Sequence, residues 1–399
     1  MPGLSSINRR RLLKGGTAAA TALAFPGILR AADTVRIGFL APLSGALAMV
    51  GQSNQNCLTL AVDEINAGGG IAGRKLEIVA EDSQMSTKTA VDKARKLYTQ
   101  DNVIAVTGMV LPSEREAVLS VAAGAQGLVL YPNFDEGRCH RHLITTGHAA
   151  NQSTAPVAKW LADNVGKTIA IVASDLGTYR DTLGRMFKAS FERAGGQVQS
   201  IHYFPFGTRD FGPVLQQIQA ARPDIVWHAI GDDPITFIKQ YASFGMKPQL
   251  VTQLAHESIA AATEGAARGV ICVESSFMSV DTAANKALIA EHDKRFAGFT
   301  PRRVRGHVTM LPHNERTYVA AKLLAEAVRR GGGVGFEEIR KGMADAALDA
   351  PRGALRVDGA SGHMLCDTLI GRVAPDAGID VVERLAAIAP ACTGSSGAG

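Results

Sequence analysis

Apolar positions along the chain alternate between short runs and helically spaced stripes. Val35-Arg36-Ile37-Gly38-Phe39 reads as a β-branched strand, and Leu58, Ala61, Val62 and Ile65 follow at helical spacing until Gly68-Gly69-Gly70 stops the helix. Residues 76–79 predict a second strand, and Ala90, Ala94, Leu97 and Tyr98 mark one face of a second helix. Residues 103–106 and 128–131 read as buried strands on either side of a helix over 113–125. A second series begins near Asn151. Strand 168–173 leads to a helix with Leu183, Met186, Phe187, Phe191 and Ala194 on one face, closed by Gly195-Gly196. Strand 198–203, helix 214–221, strand 225–230, helix 234–244 and strand 249–252 continue the pattern. The alternation predicts an α/β fold of two consecutive modules, each a parallel sheet flanked by helices. Such sheets bind ligands at the carboxyl ends of their strands, so a crevice between the two modules is the expected site.

With 399 residues, 46% of them hydrophobic and 20% charged, the chain has the apolar material for a folded core, and its length suggests two domains. The net charge of +5 suggests an acidic partner until its distribution is considered. Residues 1–31 hold five bases and no acid; without them 37 bases meet 37 acids, which removes the case for nucleic acid or a membrane surface. That segment reads as an export signal. Asn8-Arg9-Arg10-Arg11-Leu12-Leu13-Lys14 precedes a mild apolar stretch over 15–29 and then Arg30-Ala31-Ala32, with Arg9 and Arg10 suggesting the twin-arginine (Tat) route and its export machinery. The stretch includes Pro26 and falls short of the roughly 20 apolar residues that span a bilayer. Cleavage after Ala31 or Ala32 would leave a neutral protein for the periplasm.

Local motifs of enzymatic chemistry are sparse. Gly68-x-Gly70-x-x-Gly73 spells a dinucleotide fingerprint, but the glycines follow a helix and precede a strand, the reverse of the order that places pyrophosphate on a helix N-terminus. It reads as a turn. Cys139, His140, His142 and His148 could offer metal ligands, yet Arg138 and Arg141 beside them disfavour a cation, and a polar loop is the simpler reading. No HExxH, P-loop or nucleophile elbow is present, which argues against a secreted α/β hydrolase, and no cofactor is indicated. Arg302, Arg303 and Arg305 read as a solvated loop. Five cysteines are too few for a disulfide scaffold; an exported chain could oxidise one pair among Cys57, Cys139, Cys272, Cys366 and Cys392, and spacing does not select it. The Gly/Ser-rich residues 390–399 are expected to be disordered.

Several stretches together resemble a known family. Ile37-Gly38-Phe39-Leu40-Ala41-Pro42-Leu43-Ser44-Gly45, Ala61-Val62-Asp63-Glu64-Ile65-Asn66, Gly69-Gly70-Ile71-Ala72-Gly73-Arg74-Lys75-Leu76 and Asp82 are similar to the opening of type I periplasmic solute-binding proteins. Those proteins serve ABC importers of branched-chain amino acids, short amides and urea. Tyr131-Pro132-Asn133-Phe134-Asp135-Glu136-Gly137, Asn151-Gln152 and Asp349-Ala350-Pro351-Arg352-Gly353 agree, most closely with the amide and urea branch. The resemblance runs from about residue 35 to 382. It implies a two-lobed, leucine-binding-protein-like fold with no enzymatic activity, which closes on a small polar solute and docks on a membrane permease. A sensor that signals to a receptor is the alternative use of the same lobes. Three crossings between lobes are implied near 146–149, 275–278 and 332–335. The first lobe would then hold 33–148 and 276–332, and the second 149–275 and 333–389, with residues 355–357 and 369–373 among its strands.

The resemblance also implies ligand contacts. Ser113 is the hydroxyl candidate after strand 103–106, with a helix N-cap as its plainer role. Tyr131, Asn133 and Asp135 come from the next loop. Tyr179 matches a tyrosine that reaches the ligand from the second lobe. Asp232 and Asp233, after strand 225–230, are the expected partners of an ammonium or amide. The strand at 249–252 continues Gln253-Leu254-Ala255-His256-Glu257, with no acid before Glu257 where amino-acid binders place one. His256 and Glu257 therefore complete the candidate set, and Val110 and Leu111 replace the aromatic loop of amide and urea binders.

Overall fold

In the computed structural model, which describes residues 34–300 and 302–393, the strands of the first series form one parallel sheet. Arg9, Arg10 and the rest of the expected leader lie outside the described residues. Thr34–Ala41 lies between Lys75–Asp82 and Ala105–Thr107, and Leu128–Tyr131 and Leu143–Thr145 extend the sheet. Both faces of Thr34–Ala41 are covered, which is why residues 37–41 are buried in succession. Helix Ala48–Ala67 and helix Pro312–Gly331 pack one face through Leu58, Ala61, Val62, Val319, Leu323 and Leu324. Thr87–Thr99 and Pro112–Gly124 cover the other face.

The second sheet has seven strands. Gln197–Phe204, Thr168–Ser174, Ile225–Ala229, Gln249–Thr252 and Ile271–Glu274 run parallel, and Thr168–Ser174 lies beside the edge strand Gln197–Phe204. Thr368–Val373 and Ile379–Leu385 add an antiparallel edge, so this sheet is mixed rather than wholly parallel as expected. Gly212–Ala221, Pro234–Ser243 and Glu257–Ala262 cover one face, while Ala150–Asn164 and the helix from Gly177 to Arg193 cover the other. That last helix widens into a π-helical segment over Arg180–Phe187, directly after Tyr179.

The chain passes between the sheets three times. The first passage follows Leu143–Thr145, where a Cβ on Gly147 would fall 2.1 Å from the carbonyl oxygen of Asn133, so only glycine lets the backbones approach. The second follows Ile271–Glu274 and leads to helix Ala283–Phe296, which packs on the first lobe through Leu288 and Ile289. The third falls between Cys366 and Thr368, about thirty residues later than the expected 332–335. Ile339, Met343, Leu355, Val357 and Met364 all belong to the first core, so residues 333–366 pack with the first lobe and not the second. The reason lies in side-chain periodicity. In Gly353–Val357, Leu355 and Val357 are buried while Ala354 and Arg356 are exposed, giving one apolar face that suits the flank of a core. Thr368–Ile370 is buried on consecutive residues and enters the larger sheet.

Buried charge ties these passages together. Arg352 pairs with Glu315 at 3.0 Å and also donates to Ser275 Oγ at 3.3 Å and to the Thr146 carbonyl. Arg316 bonds Glu274 and donates from Nε to Ser275 Oγ at 3.1 Å, while its own carbonyl accepts from Thr146 Oγ1 at 3.1 Å. Burial pushes the Glu315 carboxyl upward and Arg352 opposes that push. Losing one partner strands the other charge in the interior. Arg352→Leu is expected to cost about 3–5 kcal/mol in urea unfolding, with part of the loss restored in the double variant R352L/E315L.

Candidate functional site

The parallel strands of both sheets end on a shared cleft, where a cavity of about 310 Å³ is bounded by both lobes and the passages between them. The first lobe contributes Leu47, Val50, Val110, Leu111, Pro112, Tyr131, Asn133 and Phe134. The second contributes Leu176, Thr178, Tyr179, Phe206, Asp232, Asp233, Ile235, Gln253, Leu254 and His256. His148, Glu274, His313 and Arg316 approach from the passages and the helix beside them.

Several helices begin at this cavity, and their caps are unusual. Leu47, Leu111, Leu176 and Leu311 occupy the N-cap positions of Ala48–Ala67, Pro112–Gly124, the Gly177 helix and Pro312–Gly331. Serine, threonine, aspartate or asparagine would ordinarily stand there and accept from the first amide N–H groups. A leucine side chain has no acceptor. The four termini therefore line the cleft with apolar surface while keeping the positive ends of their backbone dipoles directed toward it.

The acidic groups at the cleft are already engaged. Asp232 accepts from Gly207 N at 2.7 Å and approaches Arg209 at 3.3 Å; Asp233 caps Pro234–Ser243 through Thr236 N at 3.1 Å and meets Arg209 Nε at 3.1 Å. Glu274 is bonded to Arg316. The imidazoles are neutral. Burial, reinforced by His313 and Arg316, lowers the pKa of His256 to about 3, and burial lowers that of His313 to about 4. Asn133 donates to the Val110 carbonyl at 2.7 Å and accepts from Phe134 N at 2.8 Å, which fixes its amide. Its Oδ1 lies 2.9 Å from His313 Nε2, so the neutral imidazole carries its proton on Nε2. Tyr179 faces the cavity from the opposite lobe, with burial raising its pKa to about 12.

Of the residues singled out from sequence, Tyr131, Asn133, Tyr179, Asp232, Asp233 and His256 lie on this one cavity. Ser113 is exposed in the first turn of Pro112–Gly124, is not the N-cap, and borders an outer cavity of about 760 Å³. Asp135 is buried away from the cleft. It pairs with Arg115 at 2.6 Å and accepts from Gly137 N at 2.7 Å, so a carboxylate that strand order pointed at the ligand instead fastens its own loop. Glu257 also turns inward, accepting from Met278 N at 2.8 Å beside the second passage. His140 and His142 form no metal cluster among the described residues, and Cys139 is bonded to Cys392. Residues 390–393 of the expected disordered tail are packed through that bond.

Sequence reasoning missed Leu111 as a cap, together with His313, Arg316, Glu274 and Gln253. A signal existed for some of these: Leu111-Pro112 and Leu311-Pro312 both set proline at the first helical position, where it marks a helix start facing the strand ends.

Two sheets closing on a ligand-sized cavity define a two-lobed solute-binding protein. The profile of the periplasmic binding protein family matches residues 34–378, and the chain belongs to that family. A curated relative, Leu/Ile/Val-binding protein homolog 7 of Brucella melitensis, is 24% identical over 361 residues, covering 82% of this chain and 85% of the relative. The solute-binding protein of an ABC transporter from Rhodopseudomonas palustris, solved with 3,4-dihydroxybenzoic acid, superposes with a TM-score of 0.80 at 21% identity over 90% of this chain and 99% of that one. An ABC transporter substrate-binding protein from Sphaerobacter thermophilus gives 0.80 at 26% identity over 90% and 100%. The protein is thus a periplasmic solute-binding protein of the ABC transporter type, a class that captures small molecules without transforming them and presents them to a permease. No helix among the described residues is long and apolar enough to cross a membrane.

The inward-facing Glu257 has a consequence for stability. Burial raises its pKa from 4.5 to about 7. The folded state therefore holds a proton that the unfolded chain releases, and the stability this confers is full below the unfolded value and lost as pH rises through about 7. Glu257→Gln keeps the acceptor for Met278 N and removes the titration. Its Tm is expected to exceed that of the wild type at pH 8 and to converge with it near pH 4.5, measured by thermal melts across that range.

Proposed function

We propose that this protein captures a small organic acid with an apolar, aromatic body and delivers it to an ABC importer. The supporting observation is the pairing of leucine N-caps with fully engaged acids. The cleft has apolar walls, positive helix ends and neutral imidazoles, while Asp232, Asp233 and Glu274 are each held by an arginine. A carboxylate gains from that field, and a flat ring suits the walls offered by Tyr131, Tyr179, Phe134 and Phe206. An α-amino acid would need a free carboxylate for its ammonium, and urea or a short amide would leave most of the apolar lining unused. The dihydroxybenzoate bound by the Rhodopseudomonas protein supports the same class, whereas the name of the Brucella relative favours aliphatic amino acids. Transfer to a permease, rather than to a signalling receptor, follows the family's use of the fold.

Thermal melts and calorimetric titration with 3,4-dihydroxybenzoate, leucine, acetamide and urea distinguish these ligands. The acid is expected to raise Tm, by an amount equivalent to about 2.7 kcal/mol at a hundredfold excess over Kd. Stabilisation by leucine or the amides alone would overturn the assignment. Leu111→Asp places an acid at one of the four caps and is expected to lower affinity for the acid by about tenfold or more while the fold persists.

We further propose export by the twin-arginine route, supported by Arg9-Arg10 and the weak apolar stretch that follows. R9K/R10K is expected to leave the precursor in the cytoplasm, assayed by cell fractionation; normal processing of that variant would exclude the route.

A further inference from the structure

The last residues of the described chain join the two lobes a fourth time. Ile379–Leu385 is the outer strand of the second sheet, and from its end residues 386–393 run back across the first passage to the loop that precedes Leu143–Thr145. Polar contacts hold this segment along the way. Gln152 Nε2 donates to the Ile388 carbonyl at 3.1 Å, and Asn151 both donates to the Ala389 carbonyl and accepts from Ala391 N at 2.8 Å. Thr393 N donates to the Gly137 carbonyl at 2.8 Å, Thr393 Oγ1 donates to the Glu136 carbonyl, and Cys392 is disulfide-bonded to Cys139. Gly137 has φ +94°, and a Cβ there would lie 2.5 Å from the Ala391 carbonyl oxygen, so the first-lobe loop is shaped to receive the segment.

The same loop reaches across the cleft. The Glu136 carboxylate accepts from Arg115 Nη1 at 2.7 Å and from the hydroxyl of Thr178, a cleft residue of the second lobe. The terminal segment thus grips the backbone of Glu136 while its side chain grips the opposite lobe. We propose that residues 386–393 form a strap, sealed by Cys139–Cys392, that limits how far the cleft opens and thereby sets ligand affinity. A hinge that opens less spends more time near the binding geometry, and apparent affinity scales with that fraction.

Sealing is a two-electron oxidation. The thiols of Cys139 and Cys392 lose two protons and two electrons to a disulfide-bearing oxidant of the exported compartment, which becomes a dithiol as the new S–S bond forms. Cys392 is exposed and open to exchange, while Cys57, Cys272 and Cys366 are buried. Anchoring by Asn151 leaves little slack between Ala391 and the disulfide, so the bond and not the length of the segment sets the limit.

The affinity part of this proposal rests on the cleft binding an organic acid; the opening part does not. Small-angle scattering of the ligand-free protein is therefore paired with titration of 3,4-dihydroxybenzoate, on oxidised wild type, wild type reduced with dithiothreitol, and C139S/C392S, each checked for folding by circular dichroism. Both disulfide-free states are expected to show a larger radius of gyration and about fivefold weaker binding than the oxidised protein. Superimposable scattering in all three overturns the strap. A difference in scattering without binding of the probe in any form supports the strap and rejects the ligand class. Alkylation of denatured, unreduced protein from the periplasm should label three cysteines; labelling of five overturns the proposal.

Discussion

Burying four charges where the chain changes lobes is the constraint on which the rest of the molecule depends. Arg352 reaches the carbonyl of Thr146 on the first passage, Ser275 on the second and Glu315 on the first-lobe helix. Arg316, one residue after Glu315, holds Glu274 at the end of a second-lobe strand. Each guanidinium has several donors in a rigid fork, so one side chain can hold several chain segments at once, which a lysine could not do. Such a network adds little net stability, because desolvating the charges offsets their attraction. Its contribution is to make one arrangement of the passages far better than its neighbours, since any slip leaves a buried charge without its partner.

That arrangement decides the chemistry of the cleft. Glu274 and Arg316 lie on the cavity wall and also belong to the network where the chain changes lobes, so these charges serve the fold. Asp232 and Asp233 are held by Arg209 and the backbone, and the wall beside them carries apolar caps, aromatic rings and the Asn133–His313 pair. The cavity wall and the junction between the lobes thereby share the side chains of Glu274 and Arg316.

The parts of the site that sequence exposed are those tied to strand ends. Tyr131 ends a strand and Asn133, Tyr179, Asp232 and Asp233 each follow one closely, and chain order alone brings such residues to the crevice. Asp135 shows the limit of that rule: two residues beyond Asn133 the loop has turned, and Arg115, from a helix twenty residues earlier, captures the carboxylate inside. Glu257 turned inward for a similar reason, because the backbone of the second passage offers it the amide of Met278. His313 and Arg316 lie in the first turns of Pro312–Gly331 and Glu274 ends Ile271–Glu274, elements on either side of the second passage whose meeting at the cleft follows from how the lobes join.

By itself the sequence determined the two α/β modules, the order and type of nearly every core element, the crevice at the strand ends, and the charge balance beyond residue 31. Those properties reside in local periodicity and composition, since burial on one or two faces must be written into each strand and helix. Only the tertiary structure decided that residues 333–366 belong to the first lobe, that Cys139 pairs with Cys392 across 253 residues, and which polar side chains line the cavity. Each of these depends on a choice between competing long-range partners. A one-faced strand packs wherever a matching apolar flank exists, and a carboxylate near a cleft serves whichever cation or amide reaches it first. Such choices are made by the geometry of the whole chain, and no stretch of neighbouring residues encodes them.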